Sequence, residues 1–168
     1  MIIRQKRRSL ILRLMRSPGG RRWLPHTFIR IALGLFFFAS GYNKVTTAEG
    51  QALMLETVTQ AGIPWPAVMA VAVATCEMLC GQMLAFGLLT RLNALVLTVI
   101  SLVALVTVES AQIPADAGWL AWYSWLLYLP ATWYVLAGLM LLVNGSGPAG
   151  TDRVILRAYR ELSGMRAD

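Results

Sequence analysis

The run from Pro66 to Thr90 is long enough to cross a bilayer, and it carries a single carboxylate, Glu77, about halfway along. The apolar core of a bilayer takes about 20 helical residues. An ionised carboxylate at mid-depth costs roughly 2.5–3.5 kcal/mol on insertion scales. Glu77 therefore needs a partner, a proton or water, and the rest of the chain has to provide it. The same run holds two thiols, in Cys76-Glu77-Met78-Leu79-Cys80-Gly81.

That run is one of several. Apolar residues make up 57% of the 168 and charged residues 14%, where a soluble domain has about 45–50% and about 25%. The pattern predicts spans over about 27–45, 66–89, 92–108 and 119–143. The fold class is all-α: an integral membrane four-helix bundle over 27–150, with a short outer interfacial helix and basic amphipathic cytoplasmic ends, an arm at 1–26 and a helix at 151–168. Nine of the fifteen Lys and Arg lie in residues 1–30. The arm alternates Ile3, Leu10, Ile11, Leu14 and Met15 with Arg4, Lys6, Arg7, Arg8, Arg13 and Arg16. It reads as an uncleaved segment, partly helical to Arg16, lying on anionic lipid headgroups. No folded nucleic-acid module stands beside it, so nucleic acid is not the expected partner.

Charge sets the topology. The arm, the Arg91 turn and the C-terminal tail hold fourteen of the fifteen basic residues. The other two loops set Lys44 against Glu49, Glu56, Glu109 and Asp116. Both termini are expected to be cytoplasmic. Between the first two spans, Thr46 followed by Glu49 reads as a capping box. It opens a short helix to Gln60 with Leu53, Met54 and Val58 on one side, stopped by Gly62. Thr90-Arg91 reads as a tight turn. Trp119, Trp122, Tyr123, Trp125 and Tyr128 form an aromatic belt at the start of the last apolar stretch, which Pro130 kinks or divides. Thr151 or Asp152 is expected to cap the last helix.

Arg30 precedes Lys44 by fourteen residues, and Glu77 precedes Arg91 by fourteen. With both arginines at the inner interface, Lys44 and Glu77 each lie about 21 Å above it. Consecutive antiparallel spans are normally neighbours, so the two charges are expected to pair, with Asn43 close by and Gly41 and Gly81 allowing close approach. The alternative is that Lys44 snorkels outward while Glu77 is protonated. Cys76 and Cys80 share a helix face, with Cβ atoms roughly 6 Å apart, too far for the ~3.5–4.5 Å of a disulfide. With Met83 they offer soft ligands for an ion such as Cu(I); as small residues they also simply pack a helix interface. Arg91 and Asp152 both fall at the inner surface, as a salt bridge or as separate solvated charges, with Gly145 and Gly147 easing the chain's exit.

These residues resemble a known family. Ser40-Gly41-Tyr42-Asn43-Lys44 resembles the Gly-x-x-Lys end of the first helix in DoxX-like membrane proteins. Glu77 to Leu95, with Gly81, Gly87, Thr90 and Arg91, is similar to that family's Glu…Gly…Gly-Leu-x-Thr-Arg segment. Gly145 to Asp152 resembles its Gly-Pro-Gly-x-x-Ser-x-Asp ending, with Ser146 in place of Pro and Gly150 in place of Ser. The resemblance implies a four-helix inner-membrane protein. Some such relatives are small subunits of thiosulfate:quinone oxidoreductases, and others accompany redox-stress or metal-handling proteins. Three functions follow as expectations. The first is an accessory subunit of a quinone-linked redox or oxidative-stress system, working beside other membrane redox subunits or copies of itself. The second is a quinone-reactive oxidoreductase using Lys44 and Glu77. The third is a soft-metal binding protein using Cys76 and Cys80. Quinone is the one cofactor the first two imply.

Overall fold

The computed structural model describes residues 23–147 and 149–162. The expected arm, partly helical to Arg16, lies outside these residues. The described chain is helical: α1 Trp23–Thr46, α2 Ala48–Gln60, α3 Pro66–Phe86, α4 Thr90–Thr107, a 3-10 turn Glu109–Gln112, α5 Trp119–Tyr128, α6 Pro130–Asn144 and α7 Thr151–Leu162. Trp23 to His26, placed in the arm by the sequence reading, form the first turn of α1. Three helices, α1, α3 and α4 with its 3-10 extension, are long and apolar enough to cross a membrane.

The expected fourth span is not one helix. Pro130 lacks the N–H that would continue α5, and α5 and α6 meet at a bend of 76°. The break leaves carbonyls without helical partners, and side chains take them up. The Thr132 hydroxyl donates to the Leu126 carbonyl at 2.7 Å, and the Trp133 indole donates to that of Leu127 at 2.8 Å. At the same break the Glu109 carboxylate accepts from the Ala131 N–H at 3.1 Å. A negative charge thus sits at the positive end of α6. The 15 residues of α6 span about 22 Å, short of a ~30 Å core. None of the residues of α5 is buried, so its aromatic face meets the surroundings and not the bundle.

Two close helix pairs make the bundle. In the first, α1 and α3 run antiparallel with glycines at the contact. A Cβ on Gly34 would lie 2.5 Å from the Ala85 nitrogen, and one on Gly41 would meet the Met78 nitrogen and lie 2.7 Å from the Ala74 carbonyl oxygen. One on Gly81 would meet the Phe38 nitrogen. Backbone therefore packs on backbone, the arrangement small residues permit in a membrane. In the second pair, Gly138 of α6 takes the side chain of Thr98 from α4. Leu33, Phe37, Leu84, Ala94, Leu97 and Leu141 join all four helices in one core. Tyr134 stacks on Phe36 with ring centroids 4.5 Å apart.

The acidic end is closed by α2, whose Met54 and Val58 bury against Ala70 and Ala74 of α3. Leu53, expected on the same side, is exposed. The cap is Thr47, whose hydroxyl accepts from the Gly50 N–H at 3.0 Å. Thr46, the expected cap, instead donates to the Tyr42 carbonyl, one turn back on α1. At the other, basic end, α3 stops at Phe86 because Gly87 adopts a left-handed φ of 74°. The turn is Gly87-Leu88-Leu89, and Thr90 and Arg91 already belong to α4.

Candidate functional site

Glu77 and Lys44 come together. Lys44 Nζ stands 2.6 Å from Glu77 Oε2, the only ion pair among the described residues. The Glu77 side chain is 5% exposed and that of Lys44 25%. The glycine contacts set this register, because they fix which turn of α1 faces which turn of α3. Ser40 stands across from Glu77, and its hydroxyl donates to the same carboxylate oxygen at 3.4 Å. Lys44 lies one turn further toward the acidic end, so its side chain reaches back into the bundle and does not snorkel outward. The count that set the two charges level ran through Arg91 as if it ended the second span. The helix in fact turns at Gly87, and the length of the lysine side chain absorbs the offset.

Asn43 is not part of this group. It is exposed, and its backbone carbonyl accepts from the Thr47 N–H and hydroxyl. Ser40 takes the place expected for it. The signal in the sequence was the spacing: Ser40 precedes Lys44 by four and so shares its helix face.

The thiols point elsewhere. Cys76 is exposed on α3, Cys80 is half-buried beside the core, and they are not joined. Among the described residues no three of His, Cys, Asp and Glu stand together as metal ligands would.

The basic end is organised by backbone contacts. Asp152 does not pair with Arg91, and it does not cap its own helix by a side-chain bond. Its two carboxylate oxygens accept from the N–H groups of Leu89, at 2.6 Å, and Thr90, at 3.0 Å. Its own N–H donates to the Gly87 carbonyl at 3.1 Å. Asp152 therefore caps α4, where a carboxylate satisfies orphan donors and opposes the helix dipole. Thr151 donates to the Phe86 carbonyl at 3.2 Å. Arg91 donates to the Val143 carbonyl at 3.3 Å, near the C-terminus of α6. The Arg91–Asp152 salt bridge is thus absent, and the turn before α4 is tied to the exit of α6 and the start of α7 by side-chain to backbone bonds instead. Gly145 and Gly147 hold left-handed φ values of 71° and 68° at that exit.

Arg30 was expected at an interface, and it is buried, 2% exposed. Its guanidinium donates to the carbonyls of Leu84, at 3.3 Å, and Ala149, at 3.4 Å. It fills the space where Gly87 has no side chain. The end of α3, the Gly87 turn and the chain leading to α7 thus close over one arginine.

The arrangement can be compared with known proteins. A family model described as DoxX matches residues 26–110, half of the chain. The chain belongs to the DoxX family. No curated protein and no solved structure matches it. The DoxX match takes in Arg30, Ser40, Lys44, Glu77, the Gly87–Leu89 turn and Arg91, and ends before the Gly145 to Asp152 segment. Membership of this family and the long apolar helices make it a multi-pass membrane protein in a lipid bilayer.

Proposed function

We propose that this DoxX-family chain is an accessory subunit of a quinone-linked redox or oxidative-stress system, in a bacterial-type inner membrane with both termini cytoplasmic. The observation that supports this reading is the Lys44–Glu77 pair. A carboxylate, an ammonium and the Ser40 hydroxyl hold and exchange protons; they do not carry electrons. The pair suits the proton side of a redox reaction whose electrons move on a partner subunit. Lys44 fits a quinone carbonyl, because an ammonium has three donors and one is engaged by Glu77. A quinone would supply the electron-accepting chemistry. In this reading Glu77 holds the lysine in place, and the partly exposed Lys44 presents the proton.

The test is purification of the full chain from native membranes in mild detergent, as wild type, as Glu77→Gln, and as Lys44→Met/Glu77→Gln. A redox-active membrane protein should accompany the wild type, and the chain alone should neither reduce nor oxidise quinone. Quinone turnover by the isolated chain, lost in a stably folded double variant, would instead make it the oxidoreductase itself. Orientation is checked separately: reporter fusions after residue 162 should read cytoplasmic and fusions after Gly62 should read external. The reverse pattern removes the proposed topology.

A further inference from the structure

The basic end carries a cavity of about 690 Å³ between the start of α4 and α7. Its apolar wall is Leu89 at the turn before α4 and Leu92 of α4 with Ile155 and Leu156 of α7, all four exposed. Its charged wall is Arg91 and Arg153. Asp152 also borders it, but both of its carboxylate oxygens are taken by the N–H groups of Leu89 and Thr90. The helix N-terminus is thereby already occupied, and so is the one acid nearby. Arg91 uses one donor on the Val143 carbonyl, which holds its guanidinium at the rim with its other N–H groups unused. Among the described residues neither arginine has an ion-pair partner.

We infer that this cavity binds one anionic phospholipid, its phosphate between Arg91 and Arg153 and its acyl chains along α4. Three features fit that occupant together. A guanidinium presents planar paired donors that match a phosphate. The apolar wall continues along the exposed lipid-facing residues Leu95, Val99 and Leu102 of α4, which gives the chains a path into the bilayer. The amphipathic α7 leaves Val154 and Ile155 uncovered by the bundle, as a helix lying in the interface does. A free phosphate would fill the charged wall and leave the apolar wall bare. The site lies apart from the Lys44–Glu77 pair, at the opposite end of α3.

Native mass spectrometry of the full-length protein tests this, with phosphatidylglycerol, phosphatidylcholine or inorganic phosphate added in turn. One phosphatidylglycerol should be retained at least about tenfold better than phosphatidylcholine, and inorganic phosphate should not displace it. A charge-assisted contact is worth about 1.5–3 kcal/mol, so Arg91→Gln and Arg153→Gln should each weaken retention about tenfold or more. Arg157→Gln removes the same charge one turn along α7, outside the cavity. It should weaken retention by less than about fivefold, the share of a diffuse surface field. Arg153→Gln leaves the Arg91–Val143 contact intact, so it reads the site even if Arg91→Gln unfolds. Equal retention of the two lipids would overturn the inference. So would equal losses in Arg153→Gln and Arg157→Gln, or displacement by phosphate.

Discussion

The two members of the buried pair should not be equivalent when removed. Lys44→Met leaves Glu77, 5% exposed, with Ser40 at 3.4 Å as its remaining partner. An uncompensated buried charge of this kind costs about 3–5 kcal/mol. Glu77→Gln leaves Lys44, which is already 25% exposed and sits one turn from the end of α1. Its flexible stem lets the ammonium swing to the interface, so this variant should lose only about 1.5–3 kcal/mol, the scale of one charged hydrogen bond. The Lys44→Met/Glu77→Gln double variant has no charge to strand and should recover most of the Lys44→Met loss. Equilibrium or thermal unfolding in detergent measures all three. The expected order is wild type, then Glu77→Gln and the double variant close together, then Lys44→Met as the least stable. Single losses that add in the double variant would show that the two side chains do not interact. A larger loss for Glu77→Gln than for Lys44→Met would show that Lys44 cannot leave the bundle.

Further outcomes follow from the packing. Gly81→Ala places a methyl against the Phe38 nitrogen and 2.8 Å from the Gly34 carbonyl oxygen. Backbone cannot rotate aside, so the melting transition in detergent should fall by the equivalent of about 1–3 kcal/mol; an unchanged transition would refute the close α1–α3 contact. Asp152→Ala removes two acceptors from the first turn of α4 and should cost about 1–2 kcal/mol in the same unfolding assay, while Asp152→Asn, which keeps one acceptor oxygen, should lose less. Gly62→Ala and Gly87→Ala make a matched pair at φ values of 68° and 74°. The first finds open space, and the second meets the Arg30 guanidinium. Gly62→Ala should show only the ~1 kcal/mol of a left-handed residue, and Gly87→Ala distinctly more; similar losses would mean Arg30 does not fill that space.

Local physics carried much of the fold into the sequence. A membrane leaves the backbone no partner but itself, so apolar runs near 20 residues had to become helices. Pro130 had to break the last of them, by its missing N–H, whereas the left-handed stop at Gly87 comes three residues before the Thr90-Arg91 turn that the pattern suggests. The meeting of Lys44 with Glu77 was legible for a related reason: two opposite charges at membrane depth on neighbouring antiparallel spans have few other partners. The small residues Gly41 and Gly81 likewise announced close helix contact.

What the sequence could not decide was where polar side chains with several available partners would go. Asp152 was equally able to cap its own helix, meet Arg91 or cap another helix. The third occurs because α7 starts beside the turn that leads into α4, where unpaired N–H groups wait. Arg30 lies where the positive-inside pattern places a surface charge, and is buried because Gly87 opens a space beside the Leu84 and Ala149 carbonyls. Asn43 and Ser40 are three residues apart on one helix, and the register set by the glycines turned Ser40 to Glu77 and Asn43 outward. Helix formation is settled by each segment's own composition, whereas the choice among competing donors and acceptors depends on distances between segments far apart in the chain, and those exist only once the bundle has packed.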